Sequence, residues 1–358
     1  MDGKKRDQTL DAIKGVAILL VMAGHILNLN HMEDPYVYDV IRAVQMPLFM
    51  VVSGCLCGMG RRVESLADYK RVMKKRAISY LVPFFVWIAV LYPLELPGAI
   101  LDTLFHLDYG LWFLMTLFLL TAMAYTAQLA ASRIKGNSAV RELVFWGVWG
   151  ALAVFVVLET LWGWEFLTPS LTRMYLPFYV SGYAAAVYGS KLVGRISEKH
   201  RELDIQSARE SGPPSLWSSL LAAVCALLFF YLVIRYDLVD LGSPQAFLRQ
   251  TLASFAGCYL IFWLCRRWPA GKSKGFFAWL GGYTLEIYAL HFHFATLLNR
   301  GATYDLYTWQ GFRFALASFA VMCGITAALI FMTKKLWILD LLLYGKSSRG
   351  KKGHKSVS

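Results

Sequence analysis

The sequence predicts an all-α membrane protein, a polytopic bundle of about ten transmembrane helices with both termini in the cytoplasm. Three observations carry this. The 358 residues are 57% hydrophobic and only 16% charged, whereas soluble domains average about 45–50% apolar and about 25% charged. The apolar residues fall into separate runs of about 18 to 23, the length that crosses a hydrocarbon core about 30 Å thick. The basic residues gather between alternate runs.

The runs lie at roughly 10–29, 40–59, 78–94, 111–130, 143–161, 175–190, 216–234, 247–265, 276–298 and 312–332. With a cytoplasmic N-terminus, the inner segments hold most of the 36 Lys and Arg residues. The outer side receives Arg42, Arg173, Arg235, Arg249, Arg300 and Arg313, and Lys14 stays inside a span. Every connection then obeys the positive-inside rule, which an odd number of spans would break. The net charge of +13 is therefore mainly a topology signal, and no nucleic-acid module is expected.

Residues 1–345 are expected to form one integral membrane domain, and 346–358 a basic, disordered cytoplasmic tail. The loop "RRVESLADYKRVMKKRA" at 61–77 is the most basic. It reads as an interfacial helix that contacts lipid headgroups or attracts a polyanionic ligand. The segment near 191–215, with Gly212, Pro213 and Pro214, reads as a flexible connector. The basic start followed by an apolar run imitates a signal peptide. Lys14 and His25 within the run, and the lack of a small-x-small cleavage site, argue for a first span instead. The six cysteines show no metal-ligand spacing; they read as buried small hydrophobes, with no disulfide and no metal site expected.

Ionisable residues inside spans are costly and usually face the bundle interior or a wet cavity. Lys14 and His25 lie eleven residues apart, three helical turns plus about 20°, so they share one face about 16 Å apart along the axis. Lys14 near the inner end either snorkels to the surface or charges that face. His25 in the outer half either bonds a helix carbonyl or works. Asp11 reads as a helix-start acid that suits the dipole. In "MPLFMVVSG", Pro47 removes a backbone hydrogen bond, and Ser53 with Gly54 permits close packing. Trp112 and Phe113 open the fourth span, where an aromatic belt is ordinary. The ninth span carries Glu286, His291 and His293. His25 and His291 both lie about fifteen residues from an inner end, so they are expected at matching depth. Glu286 and His293 share a helical face; His291 points about 140° away from Glu286, so the three do not face one cavity equally.

Four stretches, in order, resemble the bacterial membrane-bound acyltransferase-3 family: "LDAIKGVAILLVMAGH", "MPLFMVVSG", "LWFL" and "YTLEIYALHF". "MYLPFYVSGY" at 174–183 is a weaker fifth. The resemblance runs from residue 6 to about 298. Lys14 stands where the family often has arginine; it keeps the charge but cannot form a bidentate fork. Gln45 stands where related sugar-acetylating members often have histidine.

The resemblance implies an O-acyltransferase that moves an acyl group, acetyl by default, from cytoplasmic acyl-CoA to a hydroxyl of a cell-surface glycan or lipid-linked sugar. Acyl-CoA is then a substrate, with no permanently bound cofactor. The inner basic loops and Lys14 attract the donor. His25 acts as general base, a role suited to an imidazole near neutral pH, or else as a transient acyl carrier. His291, Ser53 or backbone N–H groups near Pro47 supply the oxyanion donors. Arg42, Trp112, Phe113 and Glu286 bind the acceptor or shape the site. The rival class is a proton-coupled multi-pass transporter of a small solute or glycoconjugate. It suits inward histidines and a glutamate but usually carries internal repeats, which the sequence does not show.

Overall fold

The computed structural model describes residues 7–32, 35–107, 110–198, 216–238 and 243–346. Among these the chain is helical throughout: α1 Gln8–Leu29, α2 Pro35–Gly58, α3 Leu66–Leu91, α4 Leu96–Phe105, α5 Trp112–Ser132, α6 Ser138–Leu161, α7 Pro169–Glu198, α8 Leu216–Arg235, α9 Pro244–Arg267, α10 Lys272–Leu280, α11 Thr284–Leu290, α12 Trp309–Thr333 and α13 Trp337–Tyr344. A 3-10 turn, His291–Phe294, follows α11 directly.

Seven of these helices (α1, α2, α5, α6, α8, α9 and α12) are long and apolar enough to cross a membrane. Their burial differs sharply: 67% of the apolar window of α1 and of α2 is packed against protein, but only 11% of that of α6. On α6 the large apolar side chains Leu143, Val154, Phe155 and Leu161 are exposed, as a lipid-facing surface requires. All six cysteines are free thiols.

Helix ends follow local chemistry. Asp7 caps α1, its carboxylate accepting from the backbone N–H of Thr9 at 2.8 Å and of Leu10 at 3.3 Å. Asn137 caps α6 in the same way. At α3 the Ser65 hydroxyl accepts from Asp68 N–H at 3.1 Å and donates to the Asp68 carboxylate at 2.9 Å. That hydrogen bond, then the charge of Arg71, holds the exposed Asp68 carboxyl below the usual carboxylate range.

The structure corrects several expectations. Asp11 is not the cap of α1; Asp7 is, and Asp11 lies buried in the first turn. The 61–77 loop is not a separate interfacial helix, since α3 starts at Leu66 and runs unbroken into the third span. It ends at Leu91, and an unforeseen short apolar helix, α4, follows. Residues 191–198 continue α7 rather than forming a connector; the remainder of that segment and the 347–358 tail lie outside the described residues. The ninth span is broken, with a turn at Gly281 to Tyr283 separating α10 from α11.

The chain divides into two compact units. One is Met1–Val52 with Ala185–Ala327; the other is Ser53–Ala184 with Ala328–Ser358. In the first, α1 packs along α10 at backbone contact. A Cβ on Gly15 would lie 2.1 Å from the Phe277 carbonyl oxygen, and one on Gly281 would lie 1.9 Å from that of Asp11. Both positions therefore admit only glycine unless the helices separate. In the second unit a Cβ on Gly54 would lie 2.0 Å from the Tyr179 carbonyl oxygen, so the Ser53–Gly54 step brings α2 against α7. Trp87 Nε1 donates to the Leu343 carbonyl at 3.1 Å and holds α13 on α3.

Gly281→Ala is expected to destabilise the detergent-solubilised protein by about 1–3 kcal/mol through overpacking. Gly147→Ala and Gly150→Ala, whose Cβ would meet nothing within 4 Å, are expected to be neutral or slightly stabilising. Thermal unfolding of the three variants checks this.

Candidate functional site

The first unit brings together two side chains that lie 266 positions apart in the chain. The rings of His25 on α1 and His291 at the start of the 3-10 turn have centroids 5.1 Å apart, tilted by 47°. Phe292 sets its edge against His25 at 5.2 Å, and Tyr288 lies 6.3 Å from His291. His291 is 1% exposed, while His25 is partly buried.

Two anchors position this pair. Toward the start of α1, the Gly15 and Gly281 contacts fix α10 on it. At its C-terminal end, Asn30 is completely buried, and its Nδ2 donates both to the Ile26 carbonyl at 2.8 Å and to the Ala295 carbonyl at 3.0 Å. The first bond closes α1; the second pins the end of the 3-10 turn to it.

The orientation of His291 follows from a hydrogen bond to its own helix. Nδ1 lies 2.8 Å from the Ile287 carbonyl oxygen. A carbonyl oxygen only accepts, so Nδ1 carries the hydrogen. In the neutral ring Nε2 is then left with a lone pair. That Nε2 is buried and has no hydrogen-bond partner. Neutral His291 therefore offers an acceptor from Nε2, not the donor an oxyanion needs.

Lys14 does not stand alone. Its Nζ lies 2.7 Å from the Asp11 carboxylate, with the two side chains 17% and 10% exposed. Glu286 is completely buried, whereas His293 is exposed; of the three ionisable residues of the ninth span, His293 is the one turned outward. Arg42 on α2 is half-buried.

Ser53, Trp112 and Phe113 belong to the second unit. Ser53 precedes the Gly54 contact. The Trp112 ring stacks on Tyr175 at 5.3 Å and 20°, and meets Phe113 edge-on at 6.2 Å. It also packs on the buried cluster of Phe84, Ile88, Leu107 and Met115.

Three features were not foreseen. The Asn30 tie is one, although an Asn at a helix C-terminus is a known stop signal. Tyr175 as the stacking partner of Trp112 is another. The third is the setting of Arg76, which the sequence shows only as one charge among the many of the basic 61–77 loop. Arg76 is half-buried on α3, donates to the Tyr80 hydroxyl at 3.2 Å, and shares its surroundings with Tyr125, Tyr179 and Cys57. Among the described residues it has no carboxylate partner.

The comparisons with known proteins add the family. Residues 7–333 match the profile described as an acyltransferase domain. A curated relative, "Nodulation protein NolL" of Sinorhizobium fredii (strain NBRC 101917 / NGR234), is 31% identical over 159 residues, 38% of this chain and 41% of that protein. The match thus spans about two fifths of the relative's length. No solved structure matches the chain.

Two substitutions probe the geometry. Lys14→Ala leaves the Asp11 carboxylate buried without its cation, and removing one partner of a buried pair costs about 3–5 kcal/mol when burial is complete. Exchanging the charges as Asp11→Lys with Lys14→Glu is expected to recover most of that loss in a thermal-unfolding measurement. Asn30→Leu is expected to cost about 1–3 kcal/mol and to speed proteolysis after Ala295. With the family profile covering nearly the whole described chain, the protein belongs to the acyltransferase-3 family.

Proposed function

We propose that this protein is a membrane O-acyltransferase that moves an acyl group, acetyl in the first instance, from cytoplasmic acyl-CoA to a hydroxyl of a cell-surface glycan or its lipid-linked precursor. The observation that carries this reading is the adjacent His25 and His291 pair inside an apolar bundle of an acyltransferase family member.

In this reading the acceptor hydroxyl oxygen attacks the thioester carbonyl carbon while His25 takes the hydroxyl proton. The carbon–sulfur bond then breaks. The CoA sulfur leaves with the proton that His25 returns, so the imidazole ends as it began. His291 holds its lone pair at Nε2 and acts here as a second proton acceptor beside His25. The oxyanion donors come from elsewhere, with the backbone N–H groups near Pro47 the candidates within the first unit.

The donor carries phosphates, and two cations are candidates to meet it. Lys14 is already paired with Asp11, which reduces its pull on a further anion. Arg76 has hydroxyl neighbours and no carboxylate among the described residues. It is the better electrostatic match for a nucleotide phosphate. Arg42 and Glu286 keep their proposed place in binding the acceptor or shaping the site of the first unit, while Trp112 and Phe113 form an aromatic group with Tyr175 in the second.

Membranes holding the wild-type protein are expected to release free CoA from labelled acyl-CoA and to label surface glycan. His25→Ala, normally inserted, should lower that rate by about 10²–10⁴-fold, the usual contribution of a general base. Retained activity in His25→Ala overturns the base role. Solute flux without CoA release supports a transporter instead.

A further inference from the structure

Gln45 lies on α2, across from the residue that precedes His25. A Cβ on Gly24 would sit 2.8 Å from Gln45 Oε1 and 3.2 Å from an Ile41 methyl. The carboxamide is therefore laid flat against the backbone of α1 at that point, and the absence of a side chain at 24 makes room for it. Oε1 is buried there and has no hydrogen-bond partner. A buried carbonyl oxygen without a partner is uncommon in a folded protein and calls for an explanation. His291 Nε2, in the same unit, is in the same condition.

Both orphans are acceptors. Their missing partner is therefore a donor, a hydroxyl or an N–H. Carboxylate and phosphate groups, which bring only acceptor oxygens when ionised, do not satisfy either atom. This inference rests on the acyl-transfer reading and deepens it. We infer that Gln45 is a specificity-determining residue whose Oε1 accepts a hydrogen bond from a hydroxyl of the acceptor other than the one acylated. The preferred acceptor thus presents at least two hydroxyls on one face, as a neutral sugar ring does. A mono-alcohol or a purely anionic acceptor leaves Oε1 unsatisfied. A site built to bond a hydroxyl discriminates strongly against analogues that lack it.

The test uses the full chain in membrane vesicles with labelled acetyl-CoA. The acceptor probes are a panel of p-nitrophenyl monosaccharide glycosides and their mono-deoxy counterparts. The wild type is expected to accept at least one glycoside and to disfavour one of its deoxy forms modified away from the acetylated hydroxyl. Gln45→Met, which keeps the length but removes the acceptor, should raise KM for the parent glycoside about tenfold. KM for acetyl-CoA should stay unchanged, and discrimination against that deoxy form should disappear. Gly24→Ala displaces the carboxamide while leaving Gln45 in place; it is expected to show the same pattern and covers the case in which Gln45→Met does not insert. An unchanged glycoside KM with discrimination intact in both variants overturns the inference and leaves the acyl-transfer reading standing. A wild type that transfers acetyl to no glycoside and releases no more CoA than His25→Ala overturns both.

Discussion

The backbone contact between α1 and α10 governs the arrangement of the first unit. Gly15 meets the carbonyl of Phe277, and Gly281 meets that of Asp11, so the two chains touch at two heights without side chains between them. In lipid, helices gain little from hydrophobic exclusion and associate through close packing and a few hydrogen bonds. Two glycines that remove the spacing side chains therefore set the distance and register of the whole segment that follows. The turn at Gly281 to Tyr283, α11 and the 3-10 turn are carried along α1 from that contact. Asn30 secures the far end by donating to Ala295. The His25–His291 pair lies between the two anchors.

The polar residues of this interior are mostly committed to stated partners. Lys14 answers Asp11 across one turn of the same helix. The His291 Nδ1 hydrogen goes to a carbonyl of its own helix. In the second unit Arg76 likewise rests among hydroxyls. Such pairing follows from the cost of leaving a charge or a hydrogen-bonding group unmet away from water. Against that background unmet buried acceptors such as His291 Nε2, Gln45 Oε1 and Asn30 Oδ1 are places where water or a ligand supplies what the protein does not. The aromatic stack of Trp112 on Tyr175 shows the opposite case. There the protein supplies its own partner, and an aromatic that reads in sequence as a belt residue is also a packing element.

The helical character and most of the spans were legible in the sequence. A run of about twenty apolar residues has one stable form in lipid, a helix that satisfies its own backbone, so composition and length suffice. The ends of spans and the interruption of the ninth were not. Gly281 and Gly282 are a turn signal, but inside an apolar run they read equally well as packing residues, and here Gly281 serves as both. The extension of α3 back to Leu66 and of α7 on to Glu198 was hidden for another reason. Charged residues mark where a helix leaves the hydrocarbon, not where it stops being a helix.

The sequence by itself determined that the chain is an all-helical membrane protein, that it resembles one acyltransferase family, and that Lys14 and His25 lie on one face. These follow from local periodicity and residue chemistry, which need no distant contact. Only the tertiary structure decided that His291 meets His25, that Asn30 ties α1 to Ala295, and that Gln45 leaves a carbonyl oxygen unmet beside Gly24. Each of these depends on distances between groups and on the direction of a hydrogen bond. Both are set by how closely the helices pack, which no single helix encodes.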